Sequence, residues 1–263
     1  NGSSGAVTFD VSALAAGATA FVLGGSADFS VSSLISDMTA SSVSGSLTVT
    51  VADDAAVTIA TGSGTNTIDG DLLTDGDVLT LTGSSATTVS FDDADLTATA
   101  HTGALTVAGT GTAGQFTTGT ASSSISSTGA TAIVATAMAD GQVLTTTGAG
   151  ATTITGLSAD LTDSTTAAQT ITVADVDTLT LALGTNTTGT DAVTATAMDD
   201  GDVLTITGSN DATIAFDDAD LTASAYTGAL TVTGTGTTGQ FTTGTVSSSI
   251  SSTGATAIVA TAM

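Results

Sequence analysis

Along most of the chain an apolar residue alternates with Thr, Ser or Asp. VLTLTG (78–83), ATTVSF (86–91), DLTATA (95–100) and ALTVAG (104–109) all follow this rule. A period of two with many β-branched residues predicts short strands with one face buried. The register assigns Leu79, Leu81, Val89, Leu105 and Val107 to the interior, with Leu204, Ile206, Ile214, Leu230 and Val232 later in the chain. Thr and Asp fall mostly on the outer face. Gly, Asp, Asn and Ser separate the strands, as turns require. Pro is absent, so every backbone N–H can enter a ladder. Helical spacing is everywhere broken by Gly or Thr, and Ser12–Ala20 is the least clear stretch.

The pattern also recurs at long range. Residues 75–138 return as 200–263, a displacement of 125 (200 − 75), with 11 differences in 64 positions. A strand-turn-strand phrase appears four times: VSALAAGATAFVLGG from Val11, GDLLTDGDVLTLTG from Gly70, ATAMADGQVLTTTG from Ala135 and ATAMDDGDVLTITG from Ala195. Its turn glycines are Gly17, Gly76, Gly141 and Gly201. An Asp followed by Leu or Met marks a second position, at Asp37, Asp95, Asp160 and Asp220. These landmarks divide the chain into repeats 1–69, 70–133, 134–193 and 194–257, with 258–263 opening a further one. A rung of about 20 residues would place three coils in each repeat. That predicts an all-β fold, a β-solenoid of the parallel β-helix kind with coils about 4.8 Å apart. The rival is a string of small antiparallel β-sandwich domains. A sandwich of that size needs a dense core, and the chain offers no Trp, one Tyr and seven Phe. Phe116 and Phe241 read as core plugs, and Met38, Met138, Met198 and Met263 as packing residues at strand ends.

Charge narrows the function. There is no Lys or Arg, all 25 acidic residues are Asp, and the formal net charge is −25. Nucleic acid and anionic membrane surfaces are excluded as partners, because phosphate binding rests on Lys and Arg. Ion pairs could form only through His101. Disorder does not fit a chain that is 41% hydrophobic with a mean hydropathy of +0.44. With no Cys there are no disulfides or thiolate metal sites, and no apolar run reaches the length of a membrane-spanning helix. The chain opens at Asn1 without a basic leader and closes inside a repeat, so the array is expected to continue beyond both ends.

Self-repulsion on this scale calls for cations, and Ca2+ suits carboxylate oxygens. The candidate ligands are Asp75 and Asp77 with Asp200 and Asp202 in the DGD turns. Asp92, Asp93 and Asp95 with Asp217, Asp218 and Asp220 in the FDDAD phrases complete the set. Solvated turns use the same residues, and the third repeat keeps only Asp140 of ADGQ and Asp160 of GLSAD. His101 is the one side chain suited to acid–base work near neutrality. Its counterpart is Tyr226, which points to a surface or coil-edge residue rather than a base. No second His supports the serine run 122–127, and no Arg or Lys is present to hold acidic sugars, so no enzyme is expected. A polysaccharide-active β-helix enzyme is the most distant alternative.

GSGTNTIDGD (62–71) and LGTNTTGTD (183–191) resemble distant relatives of the repeat-in-toxin β-roll, without its full Ca2+-binding motif. With DGDVLTLTG (75–83), ADLTA (94–98) and TGALTV (102–107), nearly the whole chain resembles the giant Thr/Ala/Gly/Asp-rich β-strand repeat surface proteins of bacteria. Surface-layer proteins and large secreted adhesins share that composition. The resemblance implies an extracellular or cell-surface structural protein: a surface layer, sheath, filament or adhesin stalk. The alternative is a Ca2+-dependent spacer or binding module of a large secreted protein. The expected partners are further copies of the chain, stacked head to tail, and cell-surface glycans.

Overall fold

The computed structural model describes residues 5–14, 20–53, 56–109, 111, 114–234, 236–244, 248–253 and 257–259. All regular structure in them is strand. The first thirteen are β1 (Val7–Asp10), β2 (Phe21–Gly25), β3 (Phe29–Leu34), β4 (Met38–Val43), β5 (Leu47–Val51), β6 (Ala56–Ala60), β7 (Asn66–Gly70), β8 (Val78–Gly83), β9 (Thr87–Phe91), β10 (Asp95–His101), β11 (Leu105–Gly109), β12 (Gln115–Thr117) and β13 (Ser123–Ser127). Then come β14 (Thr131–Val134), β15 (Val143–Gly148), β16 (Thr152–Leu157), β17 (Asp160–Thr165), β18 (Thr170–Val173), β19 (Thr178–Leu183), β20 (Asp191–Ala195) and β21 (Val203–Gly208). The last are β22 (Ala212–Phe216), β23 (Asp220–Thr222), β24 (Leu230–Gly234), β25 (Gln240–Thr242), β26 (Ser248–Ser252) and β27 (Ala257–Val259).

The chain forms a β-solenoid of about 13 turns, in two compact units, Asn1–Thr131 and Ala132–Met263. Within each unit, successive strands alternate between two sheets. In the first, β3 pairs with β5, β5 with β7 and β7 with β9, while β6 pairs with β8 and β8 with β10. In the second, β17, β19, β21, β23 and β25 form one series and β18, β20, β22, β24 and β26 the other. Each of these pairs is parallel. That excludes the string of antiparallel sandwiches: each strand finds its partner one coil away, not across a hairpin.

Period-2 burial sets the core. All ten residues assigned to the interior by register are at most 3% exposed, and Phe116 and Phe241 are fully buried. Met38, Met138 and Met198 are buried too, while Met263 lies outside the described residues. Along one outer face the register runs Thr170, Ala192, Thr213, Thr231, Ser249, one residue per coil.

The recurring DG phrase is a corner loop. Leu73, Met138 and Met198 plug its inner side, each N–H bonded to the carbonyl three residues back: Gly70, Ala135 and Ala195. A second turn follows, in which Asp77, Gln142 and Asp202 donate to the carbonyls of Thr74, Ala139 and Asp199 at 3.0, 3.2 and 3.1 Å. Its third residue has φ of 92° at Gly76, 73° at Gly141 and 97° at Gly201. That is the left-handed seat of a type II turn, which explains the glycine. Gly17 lies outside the described residues.

The two copies of the duplicated block keep their strands in step. β8 to β14 correspond to β21 to β27, with β10 ending at His101 and β23 at Thr222. Thirteen strands, an odd number, separate each strand from its counterpart. A phrase that enters an even-numbered strand in one copy therefore enters an odd-numbered strand in the other. The described corner loops precede β8, β15 and β21, so the 65-residue step between Gly76 and Gly141 holds seven strands where the 60-residue step to Gly201 holds six.

Candidate functional site

The landmark aspartates are clasps between coils. Each begins or immediately precedes a strand, and its Oδ1 accepts the backbone N–H of a residue one coil ahead. Asp37 takes Thr58 at 2.8 Å, Asp95 takes Gln115 at 2.9 Å, Asp160 takes Thr180 at 2.7 Å and Asp220 takes Gln240 at 2.9 Å. Asp28 and Asp211 do the same for Ser46 and Ala229. Asp218 receives the N–H groups of Thr237 and Thr238 and the Thr238 hydroxyl, which lower its pKa. Asp is the acidic residue whose reach suits such short-range backbone capping.

The other Ca2+ candidates are placed as follows. Asp77 Oδ2 accepts the N–H and hydroxyl of Thr74, and Asp202 Oδ2 the N–H of Asp199, so both brace their own turns. Asp75 and Asp200 are exposed at the turn tips. Asp92, Asp93 and Asp217 are half-buried beside Ala94 and Ala219. Among the described residues no three acidic or His side chains stand close enough together to hold a metal ion.

The second polar assembly is internal, and the period-2 reading placed its residues outward or left them out. In the first unit His101 is fully buried, which corrects the surface reading. Nδ1 lies 3.1 Å from the Gly103 carbonyl and therefore carries the proton; Nε2, 3.2 Å from Thr87 Oγ1, accepts from that hydroxyl. Burial lowers the imidazole pKa and outweighs the opposing carbonyl contact, so the ring is neutral near pH 7.

The equivalent corner of the second unit has a longer network. Thr146 and Thr165 donate to Asp163 Oδ1 at 2.7 and 2.8 Å, and the Thr165 N–H adds a third bond at 3.1 Å. Gln169 bonds Thr165 and Thr152 through its side chain, and its N–H reaches Asp191 Oδ1 at 2.8 Å. Asn186 and Asn210 supply Asp191 with amide donors at 2.7 and 2.9 Å. Tyr226 donates to the Asn210 carbonyl. Burial raises the Asp163 pKa against these hydrogen bonds, and the Asp191 charge adds to the rise; Oδ2 of Asp163 has no partner. Burial and the charges of Asp191 and Asp211 push the Tyr226 phenol up.

The exterior of this corner is a polar cleft of about 320 Å3, whose lining includes Asn186, Ser209, Asn210 and Asp211. Within that lining the side chains of Asn186, Thr187, Asn210 and Asp211 bond other groups of the fold. One signal in the sequence marks the corner: four of the 11 differences between copies fall at 85, 86, 87 and 101. Comparison with family models, curated proteins and solved structures returned no match for the chain.

Proposed function

We infer that the chain is a structural repeat protein of the cell exterior, a segment of a surface layer, sheath, filament or adhesin stalk. One observation carries the reading: the same Asp in each repeat ties one coil to the next. Side chains that would otherwise be candidates for chemistry are spent on stacking. The absence of Lys and Arg is consistent with a surface exposed to trypsin-like proteases, and the resemblance to bacterial β-strand repeat proteins points the same way. Ca2+ enters this reading as a screening counterion for a charge of −25, and further copies of the chain are the partner. Electron microscopy of the full chain across a Ca2+ and concentration series tests it. Ordered fibres or sheets support it; isolated particles under every condition refute it.

A further inference from the structure

A chain with 25 carboxylates and no basic residue nevertheless has, in its second unit, an ordered patch whose outward strand positions carry no charge, bounded on β22 by Asp211 and Asp217. It is the outer face of β18, β20, β22, β24 and β26 in the second unit. The two outward positions of each strand hold Thr170 and Thr172, Ala192 and Thr194, Thr213 and Ala215, Thr231 and Thr233, Ser249 and Ser251. All are exposed except Ala215, which is half-buried. The opposite sheet does not share this character, since Asp160 and Asp220 sit half-exposed in β17 and β23.

The order of the face comes from the ladder. From β18 to β26 the described pairs run one to one without a register shift, so the second column reads Thr172, Thr194, Ala215, Thr233, Ser251. Adjacent strands are about 4.8 Å apart, and alternate residues along a strand about 6.7 Å apart. Thr is stiff at χ1, so three of the five coils in each column present one methyl and one hydroxyl in a fixed orientation, with one Ala and one Ser filling the other two. Between the columns, Ile171, Val193, Ile214 and Val232 point inward and are at most 2% exposed, which fixes the backbone beneath. Among the described residues none of the six threonine hydroxyls on this face bonds another protein group, unlike the threonines of the buried corner.

These features select a ligand. Within these columns a charged ligand would find no counter-charge; the flanking Asp211 is tied to the Ala229 N–H. A second copy would bury too little: five strands and two columns cover roughly 250 Å2 at these spacings, against about 800 Å2 per partner in a standard interface. A rigid lattice of neutral hydrogen-bonding groups has neither difficulty, because its own repeat can match both spacings at once and the array loses little entropy on contact. The oxygen lattice of ice is such a partner, with repeats close to both spacings on its prism faces. We propose that this face binds ice. The proposal stands apart from the structural reading, since a single unassembled chain would show it.

The test uses the full chain labelled at its N-terminal amine. The wild type is expected to concentrate in a growing ice hemisphere and to shape ice crystals at a freezing-point gap. Thr213→Tyr and Thr231→Tyr, in the middle of the face, should abolish both effects while circular dichroism stays unchanged. Thr162→Tyr, on the outer face of β17, should retain them. The proposal is overturned if the wild type partitions like an inert protein of equal size, or if the two face variants still enter ice. It is also overturned if those variants change only sedimentation, which would make the face a contact between copies.

Discussion

The two buried corners occupy the same place in the repeat and solve the same problem by different chemistry. In the first unit the corner is Asn66, Ser85, Thr87 and His101; 125 residues on it is Asp191, Asn210, Ala212 and Tyr226. A neutral imidazole facing a threonine hydroxyl gives way to a larger phenol facing an alanine. The phenol reaches past the missing hydroxyl to the Asn210 carbonyl, and the amide at 210 serves an aspartate where the first unit has Asn66. The four positions have changed as a set. Buried polar groups must be satisfied together or not at all, so a change at one position requires changes at its partners.

The comparison is broken most severely by deleting the larger ring. Tyr226→Ala should destabilise the second unit by about 3–5 kcal/mol, the range for losing a buried aromatic side chain, seen as a lowered denaturation midpoint. His101→Tyr should cost about 1–3 kcal/mol through overpacking, because Thr87 occupies the space that Ala212 leaves open. Adding Thr87→Ala should recover more than half of that loss. A double-mutant cycle that shows simple additivity would mean the two positions are not coupled.

A clasp should matter less than a corner. Asp95→Ala leaves the Gln115 N–H without its acceptor and should cost about 1 kcal/mol, whereas Asp95→Asn retains an oxygen there and should cost a fraction of it. Urea denaturation of the three proteins decides this.

The smallest expected effect concerns pH, and it has opposite signs in the two corners. His101 has a lowered folded pKa, so its contribution is present above the unfolded value of about 6.5 and lost as pH falls toward the folded one. Asp163 has a raised folded pKa, so its contribution is greatest below the unfolded value of about 3.9 and lost as pH rises through the folded one. Mild acid should weaken the first corner and strengthen the second. Asp163→Asn should flatten the second response, and hydrogen exchange resolved by segment would measure both.

The solenoid was legible because backbone and core obey simple periods. Alternation found the strands, the DG phrase found the corner loops, and Leu79, Val107 and Ile214 lie where register placed them. The buried corners escaped for a physical reason. A polar residue at the inward end of a strand, such as Thr87 or Asp191, has the composition of an outward one; only three-dimensional pairing distinguishes them. The clasps were visible as landmarks at Asp37, Asp95, Asp160 and Asp220, but their acceptor role was not, because the N–H they receive belongs to a residue about 20 positions away. Residues 85, 86, 87 and 101 carried the missing information in their joint divergence.

The clasps also give the chain a direction. Asp28, Asp37, Asp95, Asp160, Asp211, Asp218 and Asp220 all accept from residues one coil later in the chain; the buried Asp163 and Asp191, which accept from Thr146 and Gln169, reach back instead. A finished coil therefore presents waiting acceptors to the coil that follows. A polypeptide emerging N-terminus first meets a prepared template at each turn, while one emerging in the opposite sense would bring its donors before the acceptors existed. Order of appearance, and not final contact alone, is written into where the carboxylates sit.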